Sequence, residues 1–179
     1  MTASNPVQRK WWERHVLVIF LTTVLMIFFL YSRAEWSAMH RWNRAFGDVS
    51  LILVAIAMAL GPLSRLRRKT VRSLPYRREL GIYAIVLATI HTIIILDQGF
   101  GLANLIGVLA LLYGLVLAIT SNDRSMRVLG SAVWKFVQQG TYVLWALIVV
   151  HTAYFLFMHF LDYHRQTPEP NWFQWPFVG

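Results

Sequence analysis

Five long apolar blocks decide what this chain can fold into. They run over about 16–31, 46–63, 80–96, 104–120 and 136–160, and short polar stretches dense in arginine separate them. A hydrocarbon layer of roughly 30 Å is crossed by about 20 apolar helical residues, and a soluble core has no use for five such runs. Inside lipid a backbone N–H or C=O has no water to bond, so each block must close its own hydrogen bonds as a helix. The sequence therefore reads as an all-α integral membrane protein, a single membrane domain over 1–179 built as a bundle of about five transmembrane helices. Arg9, Lys10 and Arg14 ahead of the first block imitate a signal peptide. That block is long for one, and Tyr31-Ser32-Arg33 is a poor cleavage site, so the first helix is expected to be retained.

The formal net charge is +9. A basic surface is the usual footprint of a nucleic-acid partner. Here the charge lies beside apolar spans, where the bias of Lys and Arg toward the cytoplasmic side accounts for it, and no nucleic acid is expected. With the N-terminus inside, the cytoplasmic segments hold three basic residues before the first block, seven from Arg65 to Arg78, and Arg124, Arg127 and Lys135. Only Arg33, Arg41, Arg44 and Arg165 fall outside. That asymmetry expects the N-terminus inside, the C-terminus outside, and a multi-pass protein of a bacterial inner membrane in contact with its lipid. The tail over 161–179 is rich in Trp and Phe. It reads either as an interfacial aromatic anchor or as a docking surface for an outer-side partner. No repeat or low-complexity segment stands out. The chain has no cysteine, which excludes a disulfide, a thiolate haem ligand and a cysteine-ligated iron–sulfur cluster.

Ionisable residues within spans are costly and point to function. His91 in the third block and His151 in the fifth both qualify. At 1.5 Å per residue they lie roughly 8 Å and 14 Å from the outer ends of their helices, the second helix being longer, so both sit in the outer half. Two neutral imidazoles at similar depth suit axial ligation of a haem iron; a hydrogen bond within the bundle or a proton path are the other readings. Ala84 and Ala88 precede His91 on its face and leave room for a flat macrocycle. The fourth block carries the small residues Gly107, Ala110, Gly114 and Ala118, which either clear space for the same ring or let two helices pack closely. His15, His40, His159 and His164 lie outside the spans or at their ends and are expected to be solvated or interfacial.

The stretch Tyr76-Arg77-Arg78-Glu79-Leu80-Gly81, followed by Ala88-Thr89-Ile90-His91, resembles the third helix of the ferric reductase-like transmembrane family. Thr120-Ser121, Arg127-Val128-Leu129-Gly130, Trp134, Tyr142 and His151 are similar to that family's fourth loop and fifth helix. The likeness covers about residues 46–160. It is strongest for the MsrQ-like branch, the haem-binding membrane subunits of periplasmic methionine-sulfoxide reductase systems.

The resemblance implies a b-type haem between the third and fifth helices, with His91 and His151 as its axial ligands. Members with an inner haem carry further histidines where this chain has Gln138 and Arg77 or Arg78, so one haem is implied. Electrons would then enter from a quinol or a flavin such as FMN. The Arg65–Arg78 loop offers charge-assisted bonds to a flavin phosphate or quinone headgroup, beside a plain role in topology and anionic-lipid contact. Complete reductases of this superfamily continue into a flavin and nicotinamide domain, and the residues after Phe160 hold no glycine-rich dinucleotide fingerprint. The expectation is a non-catalytic electron-transfer subunit that serves a periplasmic redox protein or a larger membrane complex. The alternative is a structural or assembly subunit that keeps the fold without electron transfer. A small transporter is disfavoured because no paired broken helices are seen.

Overall fold

A computed structural model describes the backbone of residues 6–67, 73–96 and 101–166, and the side chains of 11–67, 73–96 and 101–158. All regular structure among these residues is helical: α1 Pro6–Ser32, α2 Ala38–Leu66, α3 Tyr76–Ile95, α4 Leu102–Thr120, α5 Asp123–Leu129, α6 Ser131–Gln139 and α7 Thr141–Gln166. Five stretches are long and apolar enough to cross a bilayer: Trp11–Ser32, Ala38–Leu66, Tyr76–Ile95, Leu102–Thr120 and Ser131–Met158. Large apolar side chains point outward along them, with Phe20 69% and Ile119 70% exposed. Such surfaces are stable only against lipid, and the chain is a multi-pass membrane protein.

The chain divides into two units, Met1–Ile95 and Leu96–Gly179. In the first, α2 and α3 form a hairpin joined by α1, around Val18, Val49, Leu53 and Ala84, all fully buried. The Ser50 hydroxyl donates to the Ala84 carbonyl at 2.9 Å, which spares a buried polar group the cost of lying unbonded. Helix α2 begins at Ala38, so Arg41 and Arg44, which read as loop residues, lie within it. Arg33, just past α1, is buried and bonds Asp48 at 2.5 Å while lying over the rings of Phe29 and Trp36. A charge is held there because it meets a carboxylate and two aromatic faces together.

In the second unit α4 and α7 pair around Ala110, Leu117 and Leu144, with Tyr113, Val137, Leu147 and Ile148 against them. The segment from Asp123 to Lys135, read as a loop, is helical. Asn122 caps α5 by accepting from the Ser125 N–H at 2.8 Å, and Gly130 turns the chain into α6 at a φ of 77°. The Trp134 indole then donates to the Thr120 carbonyl at 2.8 Å, tying α6 to the end of α4. The fifth block, read as one helix over 136–160, breaks at Gly140. There a Cβ would stand 2.9 Å from the Val137 carbonyl oxygen and closer still to the Tyr113 hydroxyl, so no larger residue fits.

Candidate functional site

Helix α3 carries His91 two turns beyond Ala84, on the flank it turns toward α2. The His91 Nδ1 lies 2.9 Å from the Asn43 carbonyl oxygen. A carbonyl only accepts, so Nδ1 bears the hydrogen, and the neutral ring keeps its lone pair on Nε2. One turn along α2, Gly47 leaves the space in which the ring lies: a Cβ there would sit 3.2 Å from both Cε1 and Nδ1 of His91.

The second unit repeats this arrangement. His151 on α7 places Nδ1 2.7 Å from the Ala103 carbonyl oxygen, and its ring lies on Gly107, where a Cβ would stand 2.6 Å from Cε1. In both units the carbonyl is 48 residues ahead of its histidine. Asn43 and Ala103, Gly47 and Gly107, His91-Thr92 and His151-Thr152 all stand 60 residues apart.

The correspondence continues at the opposite end of each hairpin. The Ala57 carbonyl accepts from Arg77 Nε at 3.0 Å. Its counterpart, the Leu117 carbonyl, lies 3.4 Å from Gln138 Nε2, which also reaches the Thr120 hydroxyl at 3.1 Å. The α2–α3 and α4–α7 hairpins are thus two versions of one design, each with a histidine fastened to its partner helix.

Sequence reading found the histidines and missed what holds them. Gly47 drew no notice, and Gly107 read as part of a small-residue stripe. Setting the chain against itself with a shift of 60 would have exposed both. Ala84 is fully buried and Ala88 partly so in the first unit, and Gly114 is buried in the second.

The remaining histidines differ in setting. His40 is exposed, with Nδ1 2.9 Å from the Ser37 hydroxyl. His15 lies with Nδ1 3.3 Å from the Tyr83 hydroxyl and its ring against Trp11. The side chains of His159 and His164 fall outside the described residues, as do Arg68, Lys69 and Arg72 of the basic loop and the tail over 167–179. Arg77 of that loop donates Nε to the Ala57 carbonyl at 3.0 Å and lies beside Gly61 on α2.

Within its own unit, each fastened imidazole is a nitrogen donor of the kind that binds a metal. Binding through Nε2 leaves each Nδ1–H···O=C bond intact, and such bonds fix a ligand's orientation and raise its basicity.

Residues 46–149 match the family described as the ferric reductase like transmembrane component. Among curated proteins, the chain is 28% identical over 123 residues to the magnetosome protein MamZ of Magnetospirillum gryphiswaldense, covering 61% of this chain and 19% of that protein. The MamZ of Paramagnetospirillum magneticum is 29% identical over 123 residues with the same coverage. The protein-methionine-sulfoxide reductase heme-binding subunit MsrQ of Ralstonia nicotianae is 28% identical over 122 residues, covering 61% of this chain and 56% of that protein. The chain therefore spans less than two thirds of each of these relatives.

Proposed function

The chain belongs to the ferric reductase-like transmembrane family, and on that footing we propose that it is a b-type cytochrome serving as the membrane electron-transfer subunit of an oxidoreductase. His91 and His151 are the residues that would hold one haem, which would supply the one-electron couple between a quinol or flavin and a redox partner on the outer side. The observation that carries this reading is the matched fastening of the two histidines, each with Nδ1 on a backbone carbonyl 48 residues earlier. A hydrogen bond formed merely to satisfy a buried ring has no need to recur at the same register with a glycine beneath it. A bound haem supplies a one-electron couple, and the apolar helices around it set its potential. The residues of this chain supply the rest: two carbonyls hold the rings, two glycines give them room, and Ala88, partly buried, keeps the face of α3 low one turn before His91. The relative named as a heme-binding subunit supports both the haem and a partner enzyme.

Gln138 and Arg77 support a count of one. Each bonds the backbone of the helix beside it, and guanidinium has no lone pair to offer iron. The test is haem-to-protein stoichiometry with a redox titration of the same purified sample. About one low-spin haem and a single midpoint are expected. Two haems with separate midpoints would refute the count, and a protein with none would be the structural subunit instead.

The orientation proposed is N-terminus inside and C-terminus outside in a bacterial inner membrane, on the charge asymmetry already described. A periplasm-dependent reporter fused after Gly179 should be active, and one inserted between Arg65 and Arg78 silent. The opposite pattern would reverse the topology.

A further inference from the structure

Glu79 opens α3, and its side chain is only 4% exposed. Arg14 of α1 reaches one of its oxygens, with Nε 3.3 Å from Oε1. The other, Oε2, is buried with no hydrogen-bond partner among the described residues. An unsatisfied buried oxygen on a charged group is among the more costly features a fold can keep. One turn along α3, the Tyr83 hydroxyl stands 3.3 Å from Nδ1 of His15, the residue after Arg14. Trp11 closes the group, its ring centroid 4.4 Å from that of His15. Two helices of the first unit thus bring a carboxylate, an imidazole, a phenol and a guanidinium to one spot.

The hairpin design does not require this cluster. Sixty residues on, the counterparts of Glu79 and Tyr83 are Gln139 and Val143, so the two hairpins share a scaffold and only one carries the titratable groups. Its flanks are apolar and outward-facing, with Val16, Leu17 and Val86 all more than half exposed. A ligand dissolved in the bilayer reaches such a site more readily than one from water. The cluster lies 8 to 12 residues before His91 on the same helix, about 12 to 18 Å along its axis.

We infer that Arg14, His15, Glu79 and Tyr83 form the site at which a membrane-soluble hydroquinone is oxidised, an inference that rests on the electron-transfer reading above. One ring hydroxyl donates to Glu79 Oε2 and supplies the missing hydrogen bond, and the other meets the His15–Tyr83 pair. On oxidation both O–H bonds break. One proton passes to the Glu79 carboxylate and the other to the His15 ring. Two electrons leave one after the other. The first goes to the single haem held by the chain, and the second follows once the outer-side redox partner has taken the first, so that the hydroquinone becomes a quinone.

The experiment uses the full haem-loaded chain in lipid nanodiscs, with decyl-tailed ubiquinol as reductant and its oxidised form as a binding probe. Single-turnover haem reduction and quinone affinity are measured for wild type, Glu79→Gln and Tyr83→Phe. Glu79→Gln should keep its haem content and dithionite-reduced spectrum while reduction by ubiquinol slows by about 100-fold, the range of a lost general base. Tyr83→Phe should weaken quinone binding several-fold, and it carries the test if Glu79→Gln fails to fold. Wild-type reduction rates in both variants would overturn the assignment. So would a wild-type haem that reduced flavin mononucleotide reduces and ubiquinol does not. Failure of the electron-transfer reading itself is separate: the spectrum would show no haem before any reductant was added, while quinone affinity would still be read.

Discussion

Replacing either His91 or His151 with alanine should drop haem content from about one per chain to below a tenth of that, because a low-spin b-type haem in a bis-histidine site depends on both axial bonds. The two losses should be similar, since each histidine is fastened in the same way, by a carbonyl at 2.9 Å in one unit and 2.7 Å in the other. A pyridine haemochrome assay reads the occupancy, and a reduced-minus-oxidised spectrum reads the spin state. Imidazole added to either variant should restore part of the low-spin signal, which a misfolded chain would not allow. His40→Ala should keep full occupancy, its ring being exposed and bonded to Ser37. His15→Ala should also keep it, which sets the haem apart from the hydroquinone site. Full haem in the double variant His91→Ala with His151→Ala would end the assignment. Loss in one single variant but not the other would end the equivalence of the two hairpins.

Much of the architecture was legible because bilayer thickness fixes how long an apolar helix must be. The start of α2 was not. Arg41 and Arg44 look like loop residues to a hydropathy count, and the helix that contains them is anchored by the pair of half-buried Asp48 with buried Arg33. The break at Gly140 was hidden for a related reason. The demand for glycine comes from the packed structure, where the Val137 carbonyl and Tyr113 of another helix both crowd the position of a Cβ.

The site divides along the same line. Histidines in lipid announce themselves by cost, so His91 and His151 were found. Their carbonyl partners are backbone atoms, which carry no residue signature at all. Gly47 and Gly107 are glycines in apolar helices, where close packing is the ordinary explanation, and only the histidine on each gives them another. Glu79 was noticed as one letter of a family stretch. Its partner Arg14 lies on a different helix, and its unsatisfied oxygen is a property of the packed unit.

The glycine beneath each ring yields a graded expectation. At Gly107 an alanine Cβ would stand 2.6 Å from Cε1 and 2.8 Å from Nδ1 of His151, and real contacts are not that short. The ring must move, and the bond from Nδ1 to the Ala103 carbonyl is the contact it gives up first. At Gly47 the nearest approach to His91 is 3.2 Å, so a shift of a few tenths of an ångström relieves it. Gly107→Ala should therefore lower haem affinity by about 10- to 100-fold, the effect usual for losing a hydrogen bond that orients a metal ligand, and Gly47→Ala by only a few-fold. Overpacking adds a stability cost of about 1–3 kcal/mol, so affinity must be compared with helical content measured on the same samples. Haem titration of the two apo-proteins in nanodiscs gives the comparison. If Gly107→Ala bound haem as tightly as wild type, the ring would not depend on its place over the glycine, and the matched fastening would lose its role in holding the ligand. If Gly47→Ala proved the more damaging, the order of the two distances would not govern ligand placement.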